Sequence, residues 1–154
     1  MGPTNVALVK MYQADQKLRE AQGRLDATTK NVRIQERRTR DLTEKINAAQ
    51  AQLKEKQAHA ANLDLDLRSR DAHIEKLRGQ QQSAKNNKEY QAFLIEINTG
   101  KVDRNKIEED AIALMGDNEK VSAEIKEMQA QLEGERAKLA GISLFLLFRP
   151  VSGR

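Results

Sequence analysis

Every seventh residue from Met11 to Ile74 is apolar but one. The series reads Met11, Leu18, Leu25, Val32, Thr39, Ile46, Leu53, Ala60, Leu67 and Ile74, with Thr39 the exception. A companion series stands three residues later: Ala14, Ala21, Thr28, Gln35, Leu42, Ala49, Lys56, Leu63, Arg70 and Leu77. It is weaker, but it never loses step. A heptad repeat held this long predicts a left-handed coiled-coil seam on one uninterrupted helix. Such a helix is roughly 100 Å long at 1.5 Å per residue. Few other folds tolerate the pattern. A compact domain bends its helices every few turns, and a disordered chain has no period to keep. The composition agrees. Charged residues make up 32% and aromatics 3%, too few rings for an ordinary core and a good match to a long helix.

The first seam ends at Leu77. Gly79 follows, where a helix C-terminus favours a residue free to take positive φ. Asn86 is a good N-cap, and Glu89 stands three residues on, as in a capping box. A second heptad series begins at once: Phe93, Gly100, Ile107, Leu114, Val121, Met128, Glu135 and Ile142. Its companions are Tyr90, Ile97, Arg104, Ala111, Asn118, Ile125, Leu132, Leu139 and Leu146. A short connection between two long helices makes them antiparallel neighbours. The expected fold is therefore all-α, a long antiparallel coiled-coil helical hairpin. Helix 1 covers about 5–78, the turn 79–86 and helix 2 87–148, with a disordered tail at 149–154. Gly100 should weaken or bend the second helix. Tyr90, Phe93, Leu94 and Ile97 form a stripe expected to close the hairpin tip.

Charge supports the pairing. Residues 5–78 carry net +5 and residues 107–140 net −5. With the turn centred near residue 82, Lys56 should fall opposite Glu108, an ion pair that would accommodate the lysine in the seam. On the same register "ISLFLLF", residues 142–148, should lie near Leu8, Met11 and Leu18. Those residues are apolar all round, more than a seam needs, which points to a contact, an oligomer or an unnatural chain end.

Enzymatic chemistry is not expected. His59 and His73 share a helix face but lie roughly 21 Å apart along the axis, too far to share one metal ion. The glycines are isolated, so no phosphate loop is present. There is no cysteine, hence neither disulfide nor thiolate metal site, and no cofactor is expected. No run is long and apolar enough for a membrane span. No secretory signal is visible, which makes the cytoplasm the default compartment.

Basic clusters are the candidate sites. Lys30, Arg33, Arg37 and Arg40 recur at helical spacing on the face away from the seam, and Arg38 flanks them. A second cluster, Lys76, Arg78, Lys85 and Lys88, surrounds the turn. Either could neutralise phosphates of RNA or DNA, or contact an acidic partner. The competing reading is a long helix that simply keeps charges on its solvated side. No aromatic residue interleaves with the first stripe to stack bases.

The turn region carries a family resemblance. "KNNKEYQAFLIEIN", residues 85–98, with Asn86 and then Asn87, Lys88, Glu89, Tyr90, Gln91 and Phe93, resembles the hairpin-tip motif of a bacterial family. Its members are helical-hairpin proteins with a C-terminal four-cysteine zinc ribbon. The segments "ALVKMYQADQKLREAQ" and "DLDLRSRDAHIEKLRGQQQSAK" are similar to that family's first helix, so the likeness spans about 5–140. The resemblance implies a non-enzymatic cytoplasmic scaffold or adaptor for nucleic acid or transcription factors. It also implies structural zinc in a ribbon that this chain, without cysteine, lacks; a truncated or frame-shifted gene end is one expectation for "SLFLLFRPVSGR". The alternative expectation is a purely structural coiled coil that self-associates as a homo-oligomer through its seam and apolar C-terminus.

Overall fold

The computed structural model describes residues 2–148. The expected tail, 149–154, lies outside them. Two helices account for nearly all of the described chain: α1, Pro3–Gln82, and α2, Asn87–Phe148. No strand occurs among the described residues. Pro3 opens α1, where its missing N–H costs nothing and its fixed φ is already helical.

The connection between the helices is shorter than expected. α1 continues through Gly79 to Gln82, and no glycine has positive φ. Gly79 is thus an interior residue rather than a left-handed cap. The following Gln80, Gln81 and Gln82 are good helix formers and carry the ladder on. The chain leaves the helix through tighter bonds, from Ser83 N–H to the Gln80 carbonyl and from Ala84 N–H to the Gln81 carbonyl, both 3.1 Å. Asn86 then caps α2: its Oδ1 accepts the Glu89 N–H at 2.8 Å. The Glu89 carboxylate reaches back to accept the Lys85 N–H at 3.0 Å, one residue before the usual partner in a capping box.

The chain divides into two units. The first holds residues 46–127 and includes the connection. Here α1 and α2 touch along reversed chain directions: Gln81 with Tyr90, Ile74 with Gly100, Asp71 with Arg104 and Arg70 with Asp103. Paired residue numbers add to 171–175. Ile74, Leu77 and Ile97 form its buried cluster, with Phe93 packed against them. Tyr90 was expected to close this end, but its ring is 44% exposed. Near it α1 offers only Gln81, whose amide donates to the Tyr90 carbonyl at 3.5 Å. α2 runs unbroken through Gly100, where an added Cβ would stand 3.4 Å from Ile74 Cγ1.

That register moves Lys56. On a sum near 174 it faces position 118, not Glu108, because the turn centre lies about five residues later than the sequence spacing implied. Glu108 instead accepts from Arg104, 2.6 Å away on its own helix. Asn118 has a buried Oδ1 with no hydrogen-bond partner among the described residues.

The second unit joins residues 1–45 to 128–154. Gln35 and Leu132 are buried in it. Gln35 bonds to Glu135, so here paired numbers add to about 170. Phe148 therefore comes alongside residue 22 or so, and Ile142 alongside Thr28. The segment 142–148 does not reach Leu8, Met11 or Leu18: the later turn carries it past Leu18, and Leu8 and Met11 lie further out on α1 than even a turn centred on residue 82 would bring it. Every residue from Pro3 to Ala27 is exposed, including Met11, Leu18 and Leu25.

Burial follows the heptads within both helices. From Thr28 to Leu77 each position of the two α1 series is buried or half-buried, and Thr43 is the one other covered residue there. The α2 series are covered from Phe93 to Ile142. Ile97, 3% exposed, is the most buried of the apolar side chains. Ile97→Ala should cost about 2–3 kcal/mol, since the cavity opens between only two helices and can partly collapse. Ile95→Ala, on a residue 66% exposed, should stay within about 0.5 kcal/mol. Gly100→Ala should stabilise by about 0.5–1 kcal/mol, because its Cβ meets Ile74 at ordinary contact distance while helix propensity improves. Urea unfolding followed by circular dichroism reads all three.

Candidate nucleic-acid and partner interface

The basic stripe lies in the unit that joins residues 1–45 to 128–154. Lys30, Arg33, Arg37, Arg38 and Arg40 are all exposed. α1 places them by its period. With 3.6 residues per turn, 30, 33, 37 and 40 fall within one quadrant, opposite the covered positions Val32, Gln35 and Thr39. The four span about 15 Å along the axis. Arg38 sits nearer the seam and lines a shallow hollow of about 270 Å³ with Asp41, Leu42, Lys45 and Glu135.

None of these five cations has a carboxylate within 4 Å among the described residues. Five arginines elsewhere are engaged. Arg19 holds Asp15, Arg68 holds Asp64, and Arg70 reaches Asp66 and Asp103. Glu36 and Asp41 stand at helical spacing from Arg40 and Arg37 without pairing to them, and across the seam the Glu135 carboxylate has partners of its own.

Gln35 provides one of them. It is 6% exposed, a buried polar side chain in the companion series. Its amide nitrogen donates to the Glu135 carboxylate and, at 3.0 Å, to the Glu135 main-chain carbonyl. Lys138, 3.5 Å away, is the second partner. Gln35 lowers the Glu135 carboxyl below the usual carboxylate range; burial opposes the shift, and the charges of Lys138 and Arg38 assist it. Both residues stand in the heptad series, so the signal was present. Their alignment depends on a register that the spacing of the turn misplaced.

The cluster around the connection is less uniform. Arg78 is tied to Glu75 at 2.5 Å on the same helix. Lys76, Lys85 and Lys88 are exposed. Of the tip motif, Asn86 and Glu89 are engaged in capping α2, and Phe93 in packing. Asn87, Lys88 and Gln91 are exposed. Of the motif residues, Asn86, Glu89 and Phe93 thus have structural contacts.

A zinc ribbon needs four thiolates, and the chain has no cysteine. Among the described residues no three His, Cys, Asp or Glu side chains gather as metal ligands. The residues present do not fit the metal that the family resemblance implies. No helix among the described residues is long and apolar enough to cross a membrane.

The Glu135 shift has a sign. Its folded value is depressed, so the stabilisation is complete above the unfolded carboxylate value and is lost as pH falls through the folded one. Gln35→Leu should raise Glu135 toward the ordinary range and flatten this acid-side loss. A ¹³C-detected carboxyl titration of both proteins checks it, and an unmoved Glu135 would remove Gln35 as the cause.

Compared with protein-family profiles, with curated proteins and with solved structures, the chain matches none.

Proposed function

We propose that this protein is a non-enzymatic interaction scaffold, an antiparallel coiled-coil hairpin that binds the phosphate backbone of nucleic acid through the outer face of α1. One observation carries the reading: Lys30, Arg33, Arg37, Arg38 and Arg40 are exposed, close-set and, among the described residues, without carboxylate partners, whereas Arg19, Arg68, Arg70, Arg78 and Arg104 are paired. A solvated helix face that needs charge only for solubility has no reason to withhold it from neighbouring acids. A phosphate contact needs free guanidinium groups, which donate to phosphate oxygens in bidentate fashion.

The binding mode follows from what the stripe lacks. No aromatic side chain is interleaved to stack bases, and a straight row of cations reads charge rather than base edges. Recognition is therefore of the backbone, indifferent to sequence and strongly dependent on salt. The cluster formed by Lys76, Arg78, Lys85 and Lys88 is a second contact of the same kind, weakened by the hold of Glu75 on Arg78. The hairpin-tip resemblance to zinc-ribbon scaffolds agrees with an adaptor role, with the ribbon's own contribution absent from this chain.

Fluorescence anisotropy with random-sequence RNA and duplex DNA tests the reading. The wild-type chain should bind both, with affinity falling steeply as salt rises. Arg33→Gln, Arg37→Gln and Arg40→Gln together should flatten the slope of log K against log salt by roughly 2–3, since each lost phosphate contact removes about 0.7–0.9. Replacing the same three with Glu should abolish the complex. No complex at low salt would overturn the proposal.

A further inference from the structure

The first two dozen residues of α1 form a helix that nothing in the described structure covers. All of Pro3–Ala27 is exposed, yet the heptad series that is covered from Thr28 onward continues through it unbroken. Met11 is 71% exposed, Leu18 63% and Leu25 56%. Val6, Leu8, Val9 and Tyr12 add apolar surface around the same turns. A seam is sequence written for a facing helix. From Val32 inward α2 supplies that helix; with Phe148 alongside residue 22 or so, the described part of α2 goes no further.

We infer that a second copy of this chain supplies it: the N-terminal stretch of a partner's α1 lies antiparallel on this one, taking up the track where α2 stops. Two observations select this occupant. The first is continuity. The exposed seam prolongs one that already accepts an antiparallel helix, and a second α1 entering behind Phe148 meets the same geometry.

The second observation is layer packing. A partner whose Pro3 lies near residue 22 is in heptad register when paired numbers add to 25. Met11 then faces the partner's Ala14, and Leu18 faces the partner's Ala7. The two-fold axis repeats both layers, so each large side chain meets a small one, which lets helices approach closely. The contact is isologous and closes at two copies.

A parallel pair would join Lys10 to the partner's Asp15, but it would stack alanine on alanine at 14 and 21. The antiparallel pair sets Lys10 near the partner's Lys17. Exposed pairs of like charge cost only a few tenths of a kcal/mol, less than the burial of several apolar side chains returns.

Sedimentation equilibrium of the full chain should show a concentration-dependent monomer–dimer equilibrium. Leu18→Glu should abolish the dimer without changing helix content, because Leu18 is exposed within the single chain. Leu65→Glu, at a site 62% exposed outside the stretch, should leave dimerisation intact. The absence of native cysteine makes cross-linking clean. Mixed Ala7→Cys and Leu18→Cys chains should form a mixed disulfide on mild oxidation. Ala21→Cys alone should not cross-link, since the two copies of residue 21 lie roughly 25 Å apart in this register. A monomer at all concentrations, an open series of higher oligomers, or efficient Ala21→Cys cross-linking would each overturn the inference, the last by showing a parallel pair. None of these outcomes bears on phosphate binding by the arginine stripe.

Discussion

Two helices can cover each other from one side only, and every other property of this protein follows from that limit. No described side chain is wholly shielded from solvent, and the buried apolar residues are few: Ile46, Ile74, Leu77, Ile97, Ile125 and Leu132. Apolar burial of this kind holds helices together but discriminates poorly between registers, since sliding by a heptad replaces one aliphatic layer with another. Polar contacts must then choose. In the unit around the connection, Arg70 and Arg104 occupy companion positions, and each crosses to an acid beside the other: Arg70 to Asp103 at 3.6 Å, Arg104 to Asp71 at 2.7 Å. Exposed ion pairs contribute little stability. Two reciprocal pairs, however, are both lost by any slip, which makes them effective as a register device even where their energy is small.

A buried amide is a poor choice for seam stability, because its polar atoms must be satisfied inside a thin interface. Gln35 meets that demand through Glu135, which receives its amide and sits 3.5 Å from Lys138. The arginine stripe stands outside this arrangement: Arg33, Arg37 and Arg40 lie on the face of α1 away from the seam and are exposed.

Helix content and the covered face were legible in the sequence because burial here is one-dimensional. The heptad positions from Thr28 to Leu77 and from Phe93 to Ile142 are all covered, and a period of seven residues is the information that requires. Cross-helix partners were not legible, and the cause is local. Gly79 carries the composition of a helix end, but its φ stays helical and three glutamines follow, so the reversal comes later. That delay adds about six to eleven to the paired sums. It moves Lys56 from Glu108 to Asn118, brings Gln35 to Glu135, and carries "ISLFLLF" past Leu18. The basic stripe was legible as a face, because helical periodicity alone sets it. That Glu36 and Asp41 beside it stay unpaired with it was not, because periodicity does not set side-chain rotamers.

The displaced turn also decides what remains uncovered. Moving the reversal toward the C-terminus lengthens α1 at the expense of α2: 80 residues against 62. The excess of α1 appears at its N-terminus, as seam without a facing helix. A polar excess would be unremarkable, since long helices are stable where i, i+4 pairs such as Asp15–Arg19 support them. This excess instead carries Val6, Leu8, Val9, Met11 and Tyr12 within two turns. Most helical stability in proteins comes from packing an apolar face. An exposed face of that composition is stable in proportion to what packs on it. The heptad spacing from Met11 to Leu25 specifies another helix as the covering element, in the same orientation that α2 adopts a few turns further on.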